Sequence, residues 1–238
     1  MVSIAGSKKL KRQMAPQFWG IARKDKRFVI TTRPGPHKKN FAIPTAVFLR
    51  DTIKIVTSLR EAKATIYSGK VKIDGVVRKS LHHAIGLMDV IELENVSDIY
   101  RLVPTDGKIL KPIKINELEK SKKLVRVVTK TSIKKGITQT GFHDGRSTLA
   151  EVKAKVGDTC VMQIPDQKIL EIIKLEAGCQ ALVTRGINAG QIGKIETVEE
   201  GTFILPKRVI LILGDKKIEI PADIIMPIGK KEPVIQIK

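Results

Sequence analysis

The first forty residues constrain the fold of this chain more than any other part of it. They carry eleven lysines and arginines against one acidic residue, Asp25, and they intersperse these charges with Pro16, Pro34 and Gly35. Such a composition neither propagates a helix nor supplies much apolar core of its own. We therefore expect a basic N-terminal extension, residues 1–42, that becomes ordered only against something else.

Charge also indicates what this extension binds. The 238 residues have a formal net charge of +20, half of it within residues 1–40, which favours a polyanion, with nucleic acid ahead of an anionic membrane. Each lysine or arginine that displaces a counterion from phosphate contributes entropy to binding, and aromatic rings stack on exposed nucleobases. A solvated tail is the alternative. The candidate RNA contacts of the extension are Lys8, Lys9, Lys11, Arg12, Trp19, Arg23, Lys24, Arg27, Arg33, His37, Lys38 and Lys39.

Other classes of protein are disfavoured. The longest strongly apolar run, Val209 to Leu213, is far shorter than the roughly 20 residues of a membrane-spanning helix, so no membrane span is expected. The basic N-terminus has no apolar stretch typical of a secretion signal. Cys160 and Cys179 lack the spacing of a zinc site or a disulfide framework. We expect a cytoplasmic protein without metal or cofactor.

Residues 41–69 are predicted to form two helices. The first spans Phe41 to Val56, with Pro44 in its first turn. The second follows Ser58, which has capping-box spacing to Glu61, and ends at Gly69. Its apolar stripe is Leu59, Ala62 and Ile66.

Beyond these helices the period of the sequence changes to two. Val71 and Ile73 alternate with lysines, Asp74-Gly75 predicts a tight hairpin turn, and residues 86–93 lead into another alternating strand. This order is similar to the alpha-L RNA-binding module of several ribosomal proteins, tRNA synthetases and pseudouridine synthases. The resemblance assigns the module to residues 43–105 and implies RNA contacts through Arg50, Lys54, Arg60, Lys63, Lys70, Lys72 and Arg78.

The second half of the chain has short β-branched runs separated by Gly and Asp, which are typical of small barrels. Gly157-Asp158 and Gly214-Asp215 are predicted turns, and a hairpin with a well-buried first strand is expected at residues 208–220. The predicted strands are Leu124 to Thr129, Val156 to Ile164, Lys168 to Leu175, Cys179 to Val183 and Arg208 to Leu213.

A glycine-rich stretch, residues 181–195, is similar to the KOW motif, part of an SH3-like barrel whose loop touches RNA or protein. By that resemblance Arg185, Asn188 and Lys194 are the contacts. A phosphate-binding loop is disfavoured, because it needs Gly in place of Asn188 and Ser or Thr in place of Ile195.

The order of these segments resembles the ribosomal S4e family along essentially the whole chain. Two stretches of the extension carry the resemblance best: Lys9-Leu10-Lys11-Arg12 with Trp19, and Arg33 to Lys38. The family signature usually begins with His, whereas this chain has Lys9. The resemblance implies a small-subunit protein that binds ribosomal RNA beside neighbouring ribosomal proteins, not as a homo-oligomer. The chain ends soon after the barrel, so we expect an archaeal member.

Two alternatives remain. An RNA-modifying enzyme also carries an alpha-L module, but its catalytic centre is missing from the sequence: His82-His83 point to opposite faces of an extended chain, and Asp144 is explained by a turn. A KOW transcription or translation factor would not need the basic extension. We predict no enzyme.

The predicted fold class is an α+β multidomain protein. Its predicted domains are residues 1–42 (the basic extension), 43–105 (the alpha-L module), 106–172 (a central β domain) and 173–238 (a KOW, SH3-like barrel).

Overall fold

The structure is a computed structural model that describes residues 10–94, 96–105, 108–150, 152–214, 216–230 and 232–237. Predicted features at Lys8, Lys9 and Asp215 lie outside these residues. The described chain is mostly β with few helices, so the helical share is smaller than the α+β class predicts.

The strands are numbered along the chain. They are β1 Leu10–Lys11, β2 Phe28–Val29, β3 Ile43–Pro44, β4 Val71–Ile73, β5 Val76–Val77, β6 Ala84–Ile85, β7 Val90–Leu93, β8 Ile99–Thr105, β9 Lys108–Ile115, β10 Lys122–Ser132, β11 Thr138–Phe142, β12 Ser147–Thr148, β13 Thr159–Gln163, β14 Lys168–Ile173, β15 Gln180–Val183, β16 Ile192–Glu199, β17 Arg208–Leu213, β18 Lys216–Pro221 and β19 Ile225–Gly229.

The helices are few and short. The α-helices are α1 Thr45–Val47, which continues into a π-helical turn at Phe48–Thr52, and α2 Leu59–Tyr67. The 3₁₀ turns are Arg12–Met14, Gln17–Trp19, Lys39–Phe41, Glu117–Glu119, Lys134–Gly136 and Ala222–Ile224.

Three antiparallel sheets of five strands form most of the molecule. Their strand orders are β5-β4-β7-β8-β9, β12-β11-β10-β13-β14 and β18-β17-β16-β15-β19. Two small pairs, β1-β2 and β3-β6, complete the described strands. All five predicted runs of the second half overlap observed strands, and Arg208–Leu213 is confirmed to the residue. That strand alternates between buried and half-buried positions, so it is less buried than we predicted.

The first predicted helix is much shorter than expected. Ile43 and Pro44 pair with Ile85 and Ala84 as a strand, and the amide of Thr45 donates to the carbonyl of His83 at 3.1 Å. These pairings hold the chain extended up to Pro44, so that the helix begins only at Thr45. The prediction from residue 41 was therefore wrong, because tertiary pairing overrides the local pattern.

The second predicted helix is confirmed with its caps. The amide of Glu61 donates to Ser58 Oγ at 3.2 Å, and the amide of Ser58 donates to Glu61 Oε2 at 3.3 Å. Gly69 follows the helix with φ +83°, a left-handed conformation that glycine adopts without strain. Ala62 and Ile66 are buried, but Leu59 is 41% exposed, so the apolar stripe is narrower than predicted.

The N-terminal extension is part of the largest apolar core. Leu10, Ala15 and Trp19 pack in one cluster with residues of α1, α2, β4 and β7. The Trp19 side chain is 1% exposed, and its indole Nε1 donates to the carbonyl of Ala42 at 2.9 Å. The described part of the extension is therefore ordered by the rest of the chain itself.

A buried ion network connects the first two large sheets. It centres on Lys123 of β10, whose side chain is 1% exposed and whose Nζ contacts Asp74 Oδ2 at 2.7 Å, Asp89 Oδ1 at 2.5 Å and Asp144 Oδ2 at 3.2 Å. Arg146 joins it with Nη2 2.8 Å from Asp74 Oδ2. The two aspartates before β5 and β7 thus meet a lysine and a turn of the second sheet.

The extension contributes a sixth member to this network. His37 Nε2 lies 3.0 Å from Asp89 Oδ2, and both side chains are buried. Its ring fills the space beside Gly86, where a Cβ atom would approach the ring to 2.3 Å. Gly86 therefore has to be glycine for the extension to dock in this position.

Mutual attraction keeps the network charged. Burial opposes the ionised form of Asp89, but the charges of His37 and Lys123 outweigh it and hold its pKa well below the usual range. Burial likewise opposes the charge on Lys123, while Asp89, Asp74 and Asp144 outweigh it and raise its pKa. The carboxylates and the ammonium group consequently depend on one another.

Removal of the central cation should be costly. We expect Lys123→Met to lower the free energy of unfolding by roughly 3 to 5 kcal/mol, because three buried carboxylates lose their shared partner. The matched control is Lys122→Met on the same strand, whose side chain is exposed and which should change stability by less than about 0.5 kcal/mol. Urea unfolding measures both. Equal losses in the two variants would contradict the role of the network.

His143 should make stability depend on pH. Burial lowers its pKa to about 4 from 6.5. Its Nδ1 accepts the amide hydrogen of Arg126 at 3.0 Å, so this nitrogen carries no proton in the folded protein. Between pH 6.5 and 4 the unfolded chain binds a proton that the folded chain does not, and stability falls as the pH falls. We expect a loss of up to about 3 kcal/mol in urea unfolding.

The variant His143→Gln isolates this effect, since a Gln side chain can accept the same hydrogen bond without titrating near pH 6. Its unfolding free energy should fall less between pH 7 and pH 5 than that of the wild type. Parallel curves for the two proteins would refute the assignment.

Candidate nucleic-acid interface

Most of the predicted RNA contacts lie at the protein surface. The exposed members of the predicted set are Lys11, Arg23, Lys24, Arg27, Arg33, Lys38, Lys39, Lys54, Arg60, Lys63, Lys70, Lys72, Arg78 and Lys194. Exposed lysines and arginines are available to phosphate, and density of such charge on one molecule favours a polyanionic ligand.

Arg12 was expected to contact RNA, but its side chain points into the protein. It is 4% exposed, its Nη1 donates to the carbonyl of Ala22 at 2.6 Å, and its Nη2 lies 3.6 Å from Asp25 Oδ2. These contacts close the loop between β1 and β2. Arg12 therefore shapes the segment that presents Arg23 and Lys24 to solvent.

Trp19 and His37 are also corrected by the structure. The expectation that they stack on bases was wrong, because Trp19 is 1% and His37 is 8% exposed. Trp19 packs in the apolar core and His37 pairs with Asp89. In a sequence, an aromatic residue inside a basic segment is compatible with stacking on RNA bases and with anchoring the segment to the protein interior. Here Trp19 and His37 anchor the segment.

A groove runs between the extension and the first helical segment. It has a volume of about 970 Å³, and its lining includes Lys26, Arg50 and Lys54. Arg50 is half-buried and pairs with Asp51 through Nη2 and Oδ2 at 2.7 Å. Lys54 lies two residues beyond the π-helical turn and has φ +56°. The groove thus brings together basic side chains from two segments that are distant in sequence.

Lys26 was not among the predicted contacts. It is exposed and lines this groove beside Asp25. Its position between two charged residues of the extension was the only signal available in the sequence.

A second basic surface surrounds α2 and the hairpin that follows. Arg60 and Lys63 are exposed on α2, and the Lys63 ammonium lies 5.7 Å from the centre of the Tyr67 ring. On β4, Lys72 is exposed while Val71 and Ile73 are buried, as the period of two predicts. The capping box and the buried strand face hold these cations on a rigid base.

The glycine-rich loop between β15 and β16 lies against the extension. The Arg185 guanidinium is 4.3 Å from the centre of the Phe41 ring, a cation–π contact. Asn188 is half-buried, and its carbonyl accepts the amide hydrogen of Gln191 at 3.1 Å. At Gly190 a Cβ atom would come within 2.4 Å of Thr105 Cα, so the loop is packed tightly against β8.

Arg126 is a further cation that the sequence did not single out. Its Nη1 donates to the carbonyl of Asp223 at 2.7 Å, and its Nη2 donates to that of Ala222 at 3.1 Å. Burial lowers its pKa, although Asp223 partly compensates. Arg126, Arg185 and Phe41 line a cavity of about 490 Å³ at which the extension and all three large sheets meet.

The residues weighed for catalysis are used structurally. His82 Nδ1 lies 2.7 Å from the carbonyl of Thr31, and Asp144 belongs to the buried ion network. Both cysteines are buried and unpaired, and burial raises the pKa of Cys160 to about 11. Within the described residues no group of three or more His, Cys, Asp or Glu side chains is arranged to hold a metal ion.

Each helix in the described part of the chain is too short or too polar to cross a membrane.

Comparison with known proteins identifies the family. Residues 96–169 match the model of "Ribosomal family S4e", and residues 5–40 match the "RS4NT (NUC023) domain". The small ribosomal subunit protein eS4 of Staphylothermus marinus is 36% identical over 100% of this chain and 98% of its own length. The protein of the same name from Methanothermobacter thermautotrophicus is also 36% identical, with the same coverage of 100% and 98%.

A solved structure is similar as well. The crystal structure of the 30S ribosomal protein S4e from Thermoplasma acidophilum matches with a TM-score of 0.68 and 32% identity, over 81% of this chain and 97% of that chain. The matched relatives are mostly archaeal. The chain belongs to the S4e family of ribosomal proteins.

Proposed function

We propose that this chain is a structural constituent of the small ribosomal subunit, where it binds ribosomal RNA and neighbouring ribosomal proteins and catalyses no reaction. The relatives that match it along its whole length are named as small-subunit proteins, which supports this role. One copy in each subunit, in the cytoplasm, completes the proposal.

The domain layout is part of this proposal. We assign residues 1–42 to a basic extension, 43–105 to an alpha-L module, 106–172 to a central β domain and 173–238 to a KOW barrel. Helix α2 with its capping box and the hairpin β4-β5 support the second assignment. The five-stranded sheet that ends in β19 supports the last.

The observation that carries the proposal is the division of charge between interior and surface. Asp74, Asp89 and Asp144 are buried and paired with Lys123 or Arg146, so none of these carboxylates faces an approaching polyanion. Apart from Arg12, the predicted lysines and arginines of the described extension, α2 and the hairpin are exposed. A +20 chain arranged in this way favours phosphate.

The extension contacts RNA through its outer side chains only. Its loop, closed by Arg12, exposes Arg23, Lys24 and Arg27, while Trp19 fixes the base of the segment. RNA then meets a preformed basic surface instead of a free tail, and less conformational entropy is lost on binding.

Salt dependence of binding tests the role of the extension. The triple variant Arg23→Gln, Lys24→Gln, Arg27→Gln should bind small-subunit ribosomal RNA more weakly and flatten the log–log salt slope by about 2 to 3, since each lost phosphate contact removes roughly 0.7 to 0.9. Filter binding at several salt concentrations measures both quantities. These exposed side chains can be changed without opening the core, whereas a truncation at Phe41 would remove Trp19 and His37 from it.

A matched control is the double variant Lys168→Gln, Lys174→Gln, which removes exposed lysines at and just beyond β14, outside the predicted contacts. It should leave the slope within about 0.5 of the wild type. An unrelated structured RNA serves as the second control. If every RNA binds alike, or if the control variant flattens the slope as much as the triple variant, the proposal fails.

Arg60 and Lys63 test the helical surface separately. Each alanine variant should flatten the slope by about 0.7 to 0.9 and weaken binding to ribosomal RNA. Both side chains are exposed on α2 outside its capping box, so thermal stability should change little. A variant that retains both affinity and slope removes that residue from the interface.

A further inference from the structure

An apolar turn protrudes between β16 and β17. In this turn Phe203 is 106% exposed, Ile204 is 85% exposed and Leu205 is 48% exposed. Single exposed apolar residues are common on protein surfaces, but three in succession at the tip of one loop expose a continuous apolar knob to water.

The turn is built to hold this shape. The amide of Thr202 donates to the carbonyl of Leu205 at 2.8 Å, and the amide of Leu205 donates to Thr202 Oγ1 at 3.2 Å. This pair closes a two-residue tip, so that Phe203 and Ile204 occupy its apex. The knob is therefore presented by a hydrogen-bonded turn and not by a loose strand.

The base of the loop is fixed as well. Glu200 Oε1 and Lys207 Nζ form an ion pair at 2.7 Å across it. A Cβ atom at Gly201 would lie 2.8 Å from the backbone nitrogen of Lys207, so the two sides of the loop approach as closely as glycine permits. A preformed apolar anchor loses little conformational entropy when it enters a partner's pocket.

Charge distinguishes this loop from the RNA-facing surfaces. Residues 199–208 contain two acidic and two basic residues, a net charge of zero in a chain of +20. Arg208 is paired with Glu219 on the neighbouring strand. Nothing in this loop supplies the excess positive charge that attracts phosphate.

The aromatic rings make the same distinction. Phe28 and Phe41 each have an arginine guanidinium over the ring, at 5.3 Å and 4.3 Å from its centre. Among the described residues no cation occupies the corresponding position at Phe203. A bare aromatic side chain beside an aliphatic one is typical of the buried centre of a protein–protein contact.

We propose that the turn at residues 202–205 is a protein-docking knob, whose Phe203 and Ile204 insert into an apolar pocket of a neighbouring protein in the small subunit. This inference rests on the proposed function, because it takes the ribosomal subunit as the place where the partner is found. The partner is a protein that offers an apolar pocket with an uncharged or mixed-charge rim.

Photo-crosslinking in assembled subunits tests the proposal. Full-length chain with p-benzoylphenylalanine in place of Phe203 is incorporated into small ribosomal subunits, which are purified by sedimentation and irradiated. We expect an adduct between this chain and one other protein that survives ribonuclease treatment. An adduct that ribonuclease removes, an adduct of two copies of this chain, or no adduct overturns the docking knob.

The same photo-reactive residue in place of Ile187 provides the comparison. Ile187 is 96% exposed in the glycine-rich loop that carries Arg185 and Asn188, and it should give an adduct with RNA. A chain that does not sediment with the subunit at all contradicts the proposed function. A chain that sediments and crosslinks to RNA from position 187, yet gives no protein adduct from position 203, contradicts only the docking knob.

A substitution measures the strength of the contact. The double variant Phe203→Ser, Ile204→Ser should be released from subunits at a lower salt concentration than the wild type, while its affinity for free ribosomal RNA stays within twofold. The control is Leu118→Ser, an 87% exposed apolar residue in a 3₁₀ turn far from β16 in sequence, which should leave release unchanged. Equal release of the double variant and the wild type overturns the proposal.

Discussion

The contacts of one ammonium group with three buried carboxylates join the first two large sheets and the N-terminal extension. Lys123 meets Asp74, Asp89 and Asp144 at 2.5 to 3.2 Å, and His37 reaches Asp89 from the N-terminal extension. The extension, the first large sheet and the second large sheet all contribute to this network. Because buried charges tolerate few arrangements, the network specifies one relative position of these parts in a way that apolar packing alone does not.

The same arrangement governs the surface. Asp74, Asp89 and Asp144 are acidic residues that are buried, whereas the predicted basic contacts are largely outside. A count of charges along the sequence treats these aspartates as if they weakened the attraction for phosphate. Their burial beside Lys123 and Arg146 means that the field felt by a nearby polyanion comes mainly from the exposed lysines and arginines.

Local signals in the sequence predicted local structure well. The capping box of Ser58 and Glu61, the Asp74-Gly75 turn and the strand Arg208–Leu213 are all confirmed, because hydrogen bonds and conformations close in the chain determine them. Pro44 was placed in a helix since its strand partner, Ala84, is forty residues away. Trp19 and His37 were expected at the surface for the same reason, as the groups that bury them are distant in sequence.

Under the proposed function, the anchored N-terminal extension has a consequence for assembly of the ribosomal subunit. A disordered arm would fold only as RNA closed around it, and its ordering would be coupled to each step of RNA folding. Here Trp19 and His37 are already fixed inside the protein, so the positions of the nearby basic side chains are set before RNA arrives. The extension therefore presents a fixed spacing of positive charge, to which a flexible RNA has to conform.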